Sequence, residues 1–159
     1  MKQRPFRSWS EHRPRLLIED PSPALELAEF RTFEESGFDV ALCSGPGEDD
    51  GCPLAAGGDC PLVDGADVVI MGPGMAAHRA EVSEAIHRRR PDLPVVVQVP
   101  PHDRAECPPG CIPAGYPSSV DGQVRSVWRA LDRGAPAPAP APSGALTPTE
   151  ARLIDLLGW

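Results

Sequence analysis

The stretch Ala66-Asp67-Val68-Val69-Ile70-Met71-Gly72-Pro73-Gly74 decides the fold. Four consecutive apolar residues, two of them valines, lie between an acidic turn, Val63-Asp64-Gly65, and a Gly-Pro-Gly stop. A short unbroken run rich in β-branched residues reads as a strand in the middle of a sheet, covered on both faces. In an open α/β sheet, ligands bind beyond the carboxyl ends of such strands. Chemistry is therefore expected at position 72, and that position is a glycine.

Upstream, Arg15-Leu16-Leu17-Ile18-Glu19-Asp20 reads as a second buried strand that ends in two acids. Ser22 is placed to cap a helix with Pro23 at its first position, where proline's fixed φ and missing N–H do no harm. Leu25, Ala28 and Phe33 recur near helical spacing, Leu27 and Phe30 broaden the face, and Gly37 stops the helix. Phe38 to Cys43 alternates as a strand. Residues 44–65 show no helical period and read as a long loop. Downstream, Ala76 to Arg90 reads as a helix with Ala77, Ala80, Val82, Ala85 and Ile86 inward. Its basic last turn suits the negative end of the helix dipole. Pro94 to Val99 is a strand, the proline-rich residues 100–111 cannot sustain an α-helix, and Ile112 to Tyr116 is a weak edge strand. Val120, Val124, Val127, Trp128 and Leu131 line one face of a final helix.

This alternation implies an open parallel five-stranded α/β sheet. Four segments are predicted: a flexible basic arm at 1–14, a folded domain at 15–133, an Ala-Pro linker at 134–145, and a short amphipathic helix at 146–159. The linker reads as a polyproline II spacer of roughly 30 Å. Across 159 residues the formal net charge is -8, which disfavours a nucleic-acid surface on the body. No apolar run is long enough to span a membrane, and no apolar segment follows the basic N-terminus, so a cytoplasmic location is expected. Thiols are reduced there, so the five cysteines are expected to be free, metal-bound or redox-active.

In order and spacing, residues 15–132 resemble the receiver domains of response regulators. Leu16-Leu17-Ile18-Glu19-Asp20 resembles their first strand and acidic pair, and Ala66 to Met71 their third strand. Arg88-Arg89-Arg90-Pro91-Asp92-Leu93-Pro94-Val95-Val96-Val97 looks like their third helix running into the fourth strand. Tyr116-Pro117 is placed like their Lys-Pro pair. The resemblance implies a flavodoxin-like strand order of 2-1-3-4-5, with the second and fourth helices replaced by Cys/Pro/Gly-rich loops. It also implies a phosphorylation pocket, and here that pocket is degenerate. Glu19 and Asp20 match the Mg²⁺-binding acids, but Gly72 falls on the phosphoacceptor, Val99 on the hydroxyl position and Tyr116 on the lysine. Asp20 is also placed to cap the helix that follows it.

The implied function is that of a non-phosphorylatable regulatory protein, a pseudo-receiver rather than an enzyme, acting through a protein partner or a second copy of itself. The alternative is a thiol-redox or metal sensor built on Cys43, Cys52 and Cys60 in one loop and Cys107-Pro-Pro-Gly-Cys111 in the other. No cofactor is expected on the first reading; zinc or an iron–sulfur cluster belongs to the second. The ends of the strands that carry the two loops are roughly 14 Å apart in the implied order, which argues against one shared site. A third class is an enzyme binding a small molecule near Glu19, Asp20 and the Gly72-Pro73-Gly74 turn. His78, His87 and His102 have no triad or ligand spacing. The segment Leu146 to Leu157 resembles the start of a LuxR-type helix-turn-helix without its recognition helix, so DNA binding by this chain alone is not expected. Leu153, Ile154, Leu157 and Trp159 would instead form a partner-docking face.

Overall fold

The computed structural model describes residues 9–46 and 51–133. The predicted linker and the docking face at Leu153, Ile154, Leu157 and Trp159 lie outside those residues. Five parallel strands form one sheet in the order β2-β1-β3-β4-β5: β1 Arg15–Glu19, β2 Asp39–Cys43, β3 Val68–Met71, β4 Val95–Val99 and β5 Ile112–Gly115. Four α-helices connect or follow them: α1 Pro23–Glu35, α2 Pro61–Gly65, α3 Arg79–Arg89 and α4 Val120–Arg133. This is the flavodoxin-like strand order implied by the resemblance to receiver domains.

The central strands are buried on both faces, as their apolar runs require. Their alternation sorts the core into two layers. Leu17, Val69, Met71, Val95, Val97 and Val99 pack with Val82, Ala85 and Ile86 of α3. Leu16, Ile18, Val68, Ile70 and Val96 pack with Phe33 of α1 and with Val127 and Ala130 of α4. Phe38 joins that second layer, edge-on to Phe33 at 5.8 Å and tilted against Trp128 at 4.7 Å. Where the chain enters the sheet, Arg15 clasps Asp67. The Nε–Oδ2 and Nη2–Oδ1 distances are 2.9 and 2.8 Å, and the Arg15 amide also donates to Oδ2 at 2.8 Å. The arm is docked from residue 9: a Cβ on Gly65 would collide with the Trp9 ring.

Three local readings are corrected. The stretch 44–65 contains the single-turn helix α2, because Pro61 can open a helix at its first turn after Cys60. The segment after β3 begins as a 3-10 turn, Pro73–Met75, anchored by fully buried Met75, and α3 starts only at Arg79. Val82, Ala85 and Ile86 face inward as expected and Arg79 and Ser83 join them, whereas Ala77, which precedes the helix, and Ala80 are exposed. On α4, Val127 is the buried anchor, whereas Val120 is 54% exposed. Residues 101–106 form only 3-10 turns, in keeping with the prolines that flank and open the segment.

Candidate functional site at the carboxyl end of the sheet

The ends of β1 and β3 are adjacent, with Glu19 in register with Met71 and the Gly72 amide donating to the Glu19 carbonyl at 2.9 Å. The chain therefore delivers Asp20 and Gly72 to the same point. Asp20 is fully buried and its carboxylate lies directly over the Gly72–Gly74 backbone. A Cβ on Gly72 would run into Oδ2 and stand 2.6 Å from Cγ, and a Cβ on Gly74 would stand 2.5 Å from Oδ1. Gly72 has φ -72° and ψ 170°, a conformation open to any residue. The requirement for glycine is thus steric, imposed by a neighbouring side chain. The sequence presents Gly72 as a position without a side chain; in the structure the Asp20 carboxylate lies over it.

Asp20 is held there by backbone donors. Ser22 N–H donates to Oδ1 at 2.8 Å, and Gly74 N–H reaches Oδ2 at 3.4 Å. The first bond is an Asx-type turn that leads the chain into α1. It serves the amide of the N-cap residue, while the Ser22 side chain makes no capping bond.

Glu19 is directed elsewhere. It is in register with Cys43 across β1 and β2, on the layer that carries Leu17. It is almost fully buried, its Oε2 has no hydrogen-bond partner, and burial pushes its carboxyl up to about 7. The two acids therefore do not converge. With one Asp20 oxygen on the Ser22 amide, the other on the glycine backbone, Glu19 on the thiol side and no carboxylate at position 72, these residues do not fit a Mg²⁺ ion, which takes near-octahedral oxygen ligands.

The two other positions matched by the resemblance are Val99 and Tyr116. Val99 is fully buried and uses its carbonyl to accept the Tyr116 amide at 3.0 Å. Tyr116 begins the link to α4, and its bond to Pro117 is cis. A polar pair that the sequence reading missed lies on the opposite layer. Gln98 of β4, fully buried, donates from Nε2 to Glu29 Oε1 of α1 at 3.2 Å. Glu29 Oε2 and Gln98 Oε1 are both buried without partners. Burial raises the Glu29 pKa against the pull of the Gln98 hydrogen bond, and the nearby charge of Asp20 raises it further. The sequence signal was available: Gln98 is the one polar residue in Val95–Val99.

The five cysteines are free and half-buried, and all pack against the α3-side core layer. They fall into the two groups their loops suggest. Burial pushes the Cys43 thiol up to about 12, with Glu19, Cys60 and Cys52 adding to it. Cys60 is raised by burial too, opposed by the amides of Val63 and Leu62. Cys107 and Cys111 flank a Pro-Gly turn closed by the Cys111 amide on the Pro108 carbonyl at 3.1 Å, with Gly110 at φ 78°. Burial pushes them up to about 12 and about 11, with Cys111 adding to the rise at Cys107 and Arg79 opposing it. Among the described residues, no three His, Cys, Asp or Glu side chains are grouped to hold a metal ion. His102 is exposed and pairs with Asp103 at 3.3 Å. His87 is half-buried, and burial lowers its pKa. His78 is exposed at the start of α3. No helix among the described residues is long and apolar enough to cross a membrane.

The chain matches no protein-family model and no curated protein. Its structural neighbours include receiver domains. A response regulator receiver protein from Sinorhizobium medicae superposes with a TM-score of 0.56 at 18% identity, covering 77% of this chain and 98% of the other. A receiver domain protein from Clostridium thermocellum gives 0.53 at 16%, covering 76% and 95%. The chemotaxis protein CheY4 of Vibrio cholerae gives 0.54 at 15%, covering 74% and 98%. At these identities the likeness establishes the fold alone: an open parallel five-stranded sheet of the receiver type.

Proposed function

We propose that this chain is a regulatory protein on a receiver scaffold that does not accept a phosphoryl group and works through contact with a protein partner. The observation that carries the reading is the Asp20 carboxylate packed onto Gly72. The phosphoacceptor position has no side chain, and the space for one is taken. Val99 and Tyr116 supply neither the hydroxyl nor the ammonium that would stabilise a phosphoryl group. The test is incubation of the full chain with acetyl phosphate and Mg²⁺, followed by intact mass measurement. No phosphoryl adduct is expected, and an adduct on the folded protein would overturn the reading. Partner capture with the full chain and with a chain lacking residues 146–159 then tests the role of the tail. An unchanged set of partners would remove docking by Leu153, Ile154, Leu157 and Trp159.

A second reading, thiol sensing, is favoured by Cys107 and Cys111 standing at either side of one tight turn. Exchange with oxidised glutathione would join them and release two glutathione thiols. Mass mapping that finds both thiols still free after prolonged oxidation would dismiss it.

A further inference from the structure

Gln98 and Glu29 present a problem of hydrogen-bond arithmetic. Three acceptor oxygens meet in a buried place: both oxygens of Glu29 and Oε1 of Gln98. The donor in the contact is Gln98 Nε2, which satisfies Glu29 Oε1. Two acceptors are left over, and a buried acceptor without a partner is destabilising. One added proton removes both deficits. A protonated carboxyl and a primary amide are complementary planar groups, each with one donor and one acceptor facing the other.

We propose that Glu29 carries a proton in the folded protein and donates it from Oε2 to Gln98 Oε1, closing a two-bond acid–amide ring that clamps α1 to β4. This extends the reading of a regulatory site that binds no phosphoryl group, since the species taken up beside Asp20 is then a proton. The surroundings favour the neutral form. From the β1–α1 junction, Asp20 faces Glu29 with a like charge. From β4 the facing group is the neutral Gln98. From α1 itself and from α4, no Arg, Lys or His side chain among the described residues acts on Glu29. Glu19 lies on the other layer of the sheet. Loss of the proton leaves a buried carboxylate next to Asp20 with one hydrogen bond, so the clamp weakens as pH rises.

The experiment is a ¹³C NMR titration of the glutamate side-chain carboxyl carbons in the full chain. Amide hydrogen exchange of residues 28–35 is followed over the same pH range, after correction for intrinsic rates. Expected is a Glu29 carboxyl that stays protonated above the range of the exposed glutamates. Protection of α1 should fall by up to about tenfold per pH unit as that proton leaves. The variant Glu29→Gln keeps a neutral hydrogen-bonding partner for Gln98 and should lose the pH dependence of α1 while retaining its protection. A Glu29 carbon that titrates with the exposed glutamates overturns the proposal, as does an α1 whose protection keeps the same pH dependence in Glu29→Gln. Neither result depends on phosphoryl uptake, so failure here leaves the regulatory reading to its own test.

Discussion

The carboxylate of Asp20 occupies the space a side chain at position 72 would need, and Gly72 adopts a backbone conformation that any residue could share. Sterics alone therefore couple the two positions. Gly72→Ala should destabilise the fold by about 1–3 kcal/mol, the usual range for overpacking a tight site. The same change in an Asp20→Ala background should cost much less, because the obstructing group is gone. Urea unfolding of the four proteins gives the coupling. Equal costs in both backgrounds would show that the contact does not set the requirement for glycine.

The Glu19 carboxyl produces a pH dependence of stability with a definite sign. Its ordinary value is 4.5 and burial raises it to about 7 in the folded chain, so the folded state holds this proton more tightly than the unfolded state. Its contribution is fully present below about 4.5 and is lost as pH rises through about 7, a change of about 3 kcal/mol. Glu19→Gln should therefore be more stable than the parent at pH 8 and close to it at pH 4.5. Thermal unfolding across that range tests the sign, and a parent that gains stability between pH 5 and 8 through this residue would contradict it.

At the other end of the sheet, Asp67 accepts three hydrogen bonds from Arg15, two from the guanidinium and one from the backbone amide. The guanidinium holds the Asp67 carboxyl below the usual carboxylate range. Asp67→Ala should cost about 1–2 kcal/mol, a figure limited by the partial exposure of both side chains. Asp67→Asn should recover part of it. A urea midpoint unchanged in both variants would make the clasp a surface ornament.

The thiols at Cys43, Cys107 and Cys111 are pushed up to about 12, 12 and 11 by burial. The thiolate is the reacting species, so alkylation by iodoacetamide at pH 7 should be about a hundredfold or more slower than for free cysteine. In strong denaturant all five should react quickly. Peptide mapping after a short pulse checks this, and rapid labelling of Cys107 or Cys111 in the folded chain would reveal an activated thiol.

Much of the architecture was legible because it rests on local chemistry. Leu16-Leu17-Ile18 and Val68-Val69-Ile70 must be covered on both faces, and the intervening helix and turn signals leave a parallel sheet as the consistent arrangement. The start of the third helix was less legible. Ala76 to Arg90 reads as one helix, yet buried Met75 anchors a 3-10 turn that shifts its start to Arg79. The periodic residues Val82, Ala85 and Ile86 are nonetheless buried as read.

Taken by itself, the sequence determined the strands and helices of a parallel α/β alternation, the two acids at the end of the first strand and a glycine at position 72, because apolar runs, turn residues and side-chain chemistry are written residue by residue; the strand order 2-1-3-4-5 followed from the resemblance to receiver domains. The tertiary structure alone decided where the acids point. Adjacent on the chain, Glu19 turns to Cys43 while Asp20 folds over Gly72. Residues as distant as Glu29 and Gln98 share buried acceptors that only the folded geometry brings together. Directions and pairings of this kind depend on which neighbours exclude water and which backbone amides are free to donate, and those are properties of the packed molecule.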